Sequence, residues 1–152
     1  MMTEPISAGR GEKVIDKAVM RAELSRDEGR KKRIYTDTVG KTTAGVGRNL
    51  SDRDFSDDEI DLMLNNDIAI SEAELDRVAP WWRKMSDARQ RVLLNMHFNM
   101  GWSTLSQFKN TLAAMQAGEY AKAADGMLAS HWAQQVGQRA VRLAKMMRTG
   151  DV

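Results

Sequence analysis

Residues 26–47 read RDEGRKKRIYTDTVGKTTAGVG, and the hydrophobic pattern of the chain changes within this stretch. Upstream, apolar residues recur at helical spacing, and Gly29 is placed to end a helix. Downstream, β-branched residues and a tyrosine alternate with glycines as far as Leu50, which is typical of short strands joined by turns. We predict a helix over 12–28, followed by a small β-hairpin sheet that turns near Gly40.

The remainder of the chain has a helical pattern. Ser56 and Glu59 have the spacing of a capping box, and apolar residues then recur every three or four positions until Val78. Because Pro80 cannot continue a helix, we predict one long helix over 56–78. Glycines separate the later helices, which we predict over 86–100, 104–117, 119–128 and 137–148.

This pattern predicts a predominantly helical α+β fold, and 152 residues is the usual size of a single domain. We expect two lobes with a cleft between them. The predicted parts are an N-terminal extension over 1–19, a small lobe with the sheet over 20–55, a connecting helix over 56–78 and a helical lobe over 79–152.

The composition, with 42% apolar and 29% charged residues, is that of an ordinary globular protein. The net charge of +2 hides an asymmetry between the two halves of the chain. Residues 1–76 hold 12 Lys/Arg against 17 Asp/Glu, a net of −5, whereas residues 77–152 hold 11 against 4, a net of +7. A basic half favours an anionic partner such as nucleic acid or a cell wall, but a solvated basic surface explains it equally well.

Several classes of protein are disfavoured by what the sequence lacks. It has no cysteine and only two histidines, so we expect no metal and no cofactor, and any catalysis would rest on carboxylates. No apolar run approaches the ~20 residues that span a bilayer. The first ten residues lack the features of a signal peptide. We therefore expect synthesis in the cytoplasm, without stable insertion into a membrane.

Segments 26–29, 34–40 and 43–47 resemble the lysozymes of tailed bacteriophages, glycoside hydrolase family 24. The resemblance covers about residues 20–150. It continues in family order through 95–101, 130–132, 138–140 and 148–150. It implies a two-lobed lysozyme fold with an active site of Glu28, Asp37 and Thr43.

Hydrolysis of a glycosidic bond explains why two carboxyl groups are needed. One protonates the leaving oxygen, and the other activates water or stabilises the positive charge of the transition state. We predict that desolvation beside an apolar lobe keeps Glu28 protonated, whereas Asp37 stays ionised in a wetter hairpin. The resemblance implies that Thr43 holds the attacking water and that the reaction is inverting. Taken singly, Glu28 is typical of a solvated helix end and Asp37 of a hairpin turn.

The resemblance also implies residues that contact the glycan. Asn49, Phe98 and Thr111 would line the saccharide groove, although Phe98 also fits the apolar stripe of its helix. Gly126 stands where the family offers a side chain, which would remove one sugar contact.

Four further residues are implied to support the site. Arg139 would pair with Glu28, and Trp132 would lie at the lobe interface, although core packing is the default for a tryptophan. An Arg48–Asp67 pair would replace a bridge between histidine and an acid that is common in the family.

The implied activity is cleavage of the β-1,4 bond between N-acetylmuramic acid and N-acetylglucosamine in bacterial peptidoglycan. We expect a monomer with no nucleic-acid partner, since no helix-turn-helix or aromatic RNA-binding motif is present. It would reach the wall through a holin or as part of a virion tail. A lytic transglycosylase would form an anhydro sugar without a water nucleophile and would not need Asp37 together with Thr43. A non-catalytic wall-binding derivative would have lost the acid.

Overall fold

The computed structural model describes residues 13–152, and the chain forms two compact units. The first unit ends at Ser56, and the second runs from Asp57 to Val152. Most of the predicted N-terminal extension, and the predicted start of the first helix at residue 12, lie outside the described residues.

Helix α1 spans Lys17–Glu28 and ends where the sequence predicts, but it begins later. Asp16 caps it, because Asp16 Oδ1 accepts the backbone N–H groups of Ala18 at 3.0 Å and Val19 at 3.1 Å. Gly29 ends the helix with a φ of +76°, in the left-handed region that favours glycine.

The predicted hairpin forms an antiparallel sheet with one additional strand. Its strands, in sheet order, are β1 Lys31–Thr36, β2 Thr42–Gly45 and β3 Arg48–Asn49. The turn between β1 and β2 contains Gly40, as predicted, with a φ of +84°. Tyr35, Thr43 and Asn49 lie opposite one another across the three strands. Thr43 is therefore at the centre of the sheet.

The second unit is entirely helical within the described residues. Its elements are α2 Asp57–Val78, a 3₁₀ helix Pro80–Lys84, α3 Asp87–Leu105, α4 Lys109–Gln116, α5 Tyr120–Leu128, α6 His131–Val136 and α7 Gln138–Thr149. The sequence missed the 3₁₀ helix and α6, which is short and capped by Ser130. The predicted end of α3 at residue 100 is a kink instead, because Gly101 has a φ of +75° and helical structure resumes beyond it.

An apolar core occupies the second unit. The largest fully buried side chains are Leu75, Trp82, Val92, Leu93, Met96, Leu105, Met115, Met127 and Met147. These residues lie on the 3₁₀ helix and on all the α-helices of this unit except α6, which contributes Trp132 at 5% exposure. The predicted fold class, a predominantly helical α+β protein, is confirmed. Among residues 13–152, none of the helices combines the length and apolar character that crossing a bilayer requires.

Candidate active site

Glu28 is the last residue of α1, and its side chain lies against the turn between β2 and β3. A Cβ atom added to Gly47 would lie 2.9 Å from Glu28 Oε2 and 3.4 Å from its Cγ atom. Gly47 also has a φ of +64°. The backbone of this turn therefore favours glycine, and a side chain at this position would displace the carboxylate of Glu28 from where it lies. Glu28 itself is exposed, so this unit does not desolvate it, and its protonation by desolvation beside an apolar lobe stays a prediction.

Asp37 follows β1 and begins the turn to β2. Its Oδ1 atom accepts the backbone N–H groups of Val39 at 3.0 Å and Lys41 at 2.8 Å. The interpretation of Asp37 as a hairpin residue is thus correct for this oxygen. The other oxygen, Oδ2, lies 3.5 Å from Thr43 Oγ1. The two backbone hydrogen bonds orient the carboxylate so that one oxygen remains available for chemistry.

Thr43 lies on the central strand and is only 3% exposed. Its hydroxyl donates to the carbonyl oxygen of Lys41 at 3.0 Å, and Asp37 Oδ2 lies beyond at 3.5 Å. The backbone of Lys41 therefore connects the two predicted residues, because it donates to one and accepts from the other. The sequence had no signal for this role, since any residue has the same backbone groups.

Asn49 lies on β3 beside Thr43 and is already engaged in the next turn. Its Oδ1 atom accepts the backbone N–H groups of Ser51 at 2.9 Å and Asp52 at 3.1 Å, and its Nδ2 donates to Asp52 Oδ2 at 3.0 Å. Hydrogen bonds from Lys41 and from Asn49 hold the pKa of Asp52 below its usual value. The structure shows one hydrogen bond from this amide nitrogen among residues 13–152. The place of Asn49 in the saccharide groove stays a prediction.

Arg48, the other residue of β3, lies near an aromatic ring of the same unit. Its guanidinium carbon is 5.8 Å from the ring centroid of Phe55, within the range of a cation–π contact. Asp67 belongs to α2 in the second unit. The pairing of Arg48 with Asp67 stays a prediction.

Arg139 and Phe98 line one groove of the second unit, with a volume of about 990 Å³. Two nitrogens of Arg139 donate to Asn95 Oδ1, Nε at 3.0 Å and Nη2 at 2.8 Å. Phe98 is 44% exposed on the wall of this groove. Asn95 was missed as a partner of Arg139, although it opens the 95–101 segment of the resemblance. The pairing of Arg139 with Glu28 stays a prediction.

Thr111 and Gly126 lie against each other on α4 and α5. Thr111 is 7% exposed, and a Cβ atom added to Gly126 would overlap Thr111 Oγ1. The glycine thus makes room for the threonine. The loss of a sugar contact at Gly126 stays a prediction. The place of Thr111 in the saccharide groove stays a prediction.

Trp132 packs in the core of the second unit, as expected by default. It is 5% exposed, and its Nε1 donates to Asn99 Oδ1 at 2.8 Å. Both residues line a second groove of about 770 Å³, whose other polar residues include Ser130, His131 and Gln135.

The chemistry available at the small sheet is that of carboxylic acids and a hydroxyl. In the part of the chain that the structure describes, no three His, Cys, Asp or Glu side chains are grouped so that they could hold a metal ion. Two carboxyl groups and a polar group for water are what hydrolysis of a glycosidic bond uses. Together with the mainly helical α+β fold, they fit a glycoside hydrolase of the lysozyme type.

Comparison with known proteins gives the family. Residues 25–148 match the phage lysozyme family, and the chain belongs to it. The chain is 28% identical over 157 aligned residues to the pre-baseplate central spike protein Gp5 of Enterobacteria phage T4, covering 85% of this chain but only 27% of the spike protein. It is also 26% identical to the probable T4-type lysozyme 2 of Dictyostelium discoideum, over 85% of this chain and 93% of that protein.

Proposed function

We propose that this protein hydrolyses peptidoglycan at the β-1,4 bond between N-acetylmuramic acid and N-acetylglucosamine. The observation that carries the proposal is the 3.5 Å approach of Thr43 Oγ1 to Asp37 Oδ2, in the unit whose helix ends with Glu28. Membership of the phage lysozyme family supports the same reaction class.

In the proposed reaction, Glu28 gives its proton to the glycosidic oxygen as the bond from that oxygen to the anomeric carbon breaks. A water molecule held by Asp37 Oδ2 and Thr43 Oγ1 attacks the anomeric carbon, and its proton passes to Asp37. Because backbone N–H groups occupy Asp37 Oδ1, Oδ2 is the oxygen that takes this proton. The uncharged hydroxyl of Thr43 positions the attacking water.

This scheme gives inversion at the anomeric carbon in one step. A retaining reaction would instead require Asp37 to attack the carbon itself and form a covalent intermediate. Proton NMR of freshly released product distinguishes the two outcomes, because inversion of the β bond yields the α anomer first.

The decisive experiment compares the parent protein with Glu28→Gln on purified peptidoglycan, with released fragments reduced and identified by mass spectrometry. We expect reducing muropeptides from the parent and a loss of about 10²- to 10⁴-fold in rate for the variant, since a general acid contributes on this scale. Glu23→Gln, an exposed change on the same helix, is the matched control and should keep full activity.

Two results would refute the proposal. Anhydro products from the parent would identify a lytic transglycosylase. A folded parent protein that binds peptidoglycan but releases nothing would be a non-catalytic wall-binding protein.

The setting we infer is the breaching of a bacterial wall in phage entry or lysis, by a single lysozyme domain that comprises both units. The family match supports one domain, since it runs from 25 to 148 across the boundary at Ser56. The alignment with part of a phage spike protein supports a place in a virion, and detection of the chain in purified particles would test it.

A further inference from the structure

Four consecutive basic residues, Arg30, Lys31, Lys32 and Arg33, connect α1 to the body of β1. All four are exposed, and none forms an ion pair with any residue that the structure describes. Four positive charges this close along the chain repel one another through water, by about 1 kcal/mol or less for each pair. A run of unpaired cations attracts an anionic ligand, which would neutralise the repulsion.

The pairing of β1 with β2 is irregular at this run. Lys31 pairs with Gly45 and Tyr35 pairs with Thr43, so three residues of β1 lie opposite Ala44 alone. A bulge of this kind bends the strand, redirects its side chains and is common beside active sites. Because β1 is an edge strand, Lys32 and Arg33 lie in a bulge on the open side of the sheet.

The run is also close to the proposed acid in sequence. Arg33 lies five positions after Glu28, and at about 3.6 Å per residue for a fully extended chain their Cα atoms are at most about 18 Å apart. Peptidoglycan carries a peptide on alternate sugars, and these peptides end in and display carboxylates. A glycan strand held at Glu28 would therefore present anions within reach of the basic run.

We propose that the bulged basic run, residues 30–33, binds the carboxylates of the peptide stems that flank the bond being cleaved. This inference rests on the proposed function, since it assigns part of the substrate to the same site. The run concentrates the enzyme on its polyanionic substrate and sets the glycan strand relative to Glu28. The run is a basic segment within residues 1–76, which otherwise carry an excess of acidic residues.

The experiment measures binding in the Glu28→Gln background, in which we expect cleavage to be slowed about 10²- to 10⁴-fold. Insoluble sacculi are washed with hydrofluoric acid to remove phosphate polymers, and one portion is then treated with carbodiimide and ethanolamine to neutralise its carboxylates. Half-saturation is measured by co-sedimentation at about 50 mM salt, where surface charges are weakly screened. The variants are Lys32→Gln with Arg33→Gln and, as matched control, Lys17→Gln with Arg21→Gln, two exposed cations on α1.

On sacculi not treated with carbodiimide, we expect the Lys32/Arg33 double variant to bind about tenfold more weakly than the Glu28→Gln protein. The Lys17/Arg21 double variant should bind less than twofold more weakly than that protein. Neutralising the carboxylates should weaken the Glu28→Gln protein by a similar factor and remove the difference between the two double variants. Raising the salt to about 0.5 M should also weaken binding and remove the difference between the two double variants, because the Debye length is then only a few ångströms.

Three results would overturn the inference. Equal losses in both double variants would show an effect of net charge alone. Sensitivity to the hydrofluoric acid wash but not to carboxylate neutralisation would identify a phosphate polymer as the ligand. Unchanged binding with increased self-association would mean that the cations only protect an edge strand from pairing with other chains. Failure of the proposed function is separate, because it is read from product release by the parent protein.

Discussion

The two units of the molecule are stabilised by different forces. Between residues 13 and 56, Thr43 is the only buried residue, and hydrogen bonds around Asp37 and Asn49 hold the turns of the sheet. The second unit instead buries apolar side chains from its helices, with Leu75, Val92 and Leu93 at 0% exposure. The proposed acid and base lie in the unit that has almost no core.

This difference indicates how the two units should respond to substitution. A hydrogen bond contributes about 1 kcal/mol, whereas a buried leucine contributes several times as much. Changes in the first unit should therefore alter catalysis with little change in the free energy of unfolding. Changes in the second unit should lower the free energy of unfolding with little change in catalysis.

The largest effect should come from Asp37→Asn. Asparagine keeps an oxygen that accepts the N–H groups of Val39 and Lys41, so the turn should survive, but it cannot take a proton from water. We expect kcat to fall about 10²- to 10⁴-fold with Tm nearly unchanged. Asp54→Asn, an exposed change in the same unit, should leave both unchanged. Equal activity of Asp37→Asn and parent would remove Asp37 from the mechanism.

In the second unit, Leu93→Ala should lower the free energy of unfolding by about 2 to 5 kcal/mol, because it leaves a cavity in the core. Leu62→Ala is the matched control, since Leu62 is 62% exposed and its truncation should cost less than about 0.5 kcal/mol. Urea unfolding gives both values. If Leu93→Ala lowered kcat per folded molecule as strongly as Asp37→Asn, the two units would not be separable in this way.

A smaller loss of stability is expected for Gly126→Ala, about 1 to 3 kcal/mol, because the added methyl group would overlap Thr111 Oγ1. Thr111→Ala removes the overlapping atom, so the double variant should be more stable than the sum of the single changes predicts. Denaturant unfolding of the four proteins measures this coupling. Additive losses would show that Gly126 is needed for another reason.

The sequence predicted most of the fold because its signals were local. Glycines and periodic apolar residues placed the sheet and α2 within a residue or two of their observed bounds. The start of α1 was wrong because helical periodicity continues upstream of Asp16, while the cap depends on a single side chain. Helix α6 was missed because six residues give too short a period to recognise.

For the candidate site, the sequence predicted which residues belong to it but not the contacts that position them. Glu28, Asp37 and Thr43 came from a resemblance, and the proximity of Asp37 to Thr43 depends on how β1 and β2 pair. The role of the Lys41 backbone and the approach of Glu28 to Gly47 involve atoms common to many residues. Such contacts form only when the chain is folded, so the identity of the residues does not predict them.

Gly47→Ala tests the smallest of these effects and bears directly on the first unit. Gly45 and Gly47 have nearly the same φ, +65° and +64°, so alanine at either should cost about 1 kcal/mol of backbone strain. Only at Gly47 would the new Cβ meet Glu28, whereas nothing lies within 4 Å of one at Gly45.

The pair of variants therefore separates strain from displacement of the acid. Both should unfold at similar urea concentrations, but Gly47→Ala alone should lower kcat, by about tenfold, since a misplaced catalytic group loses rate steeply with distance. A similar fall in both variants would attribute the loss to the backbone of the turns. Full activity of Gly47→Ala would mean that Glu28 does not act from the position it occupies against this turn.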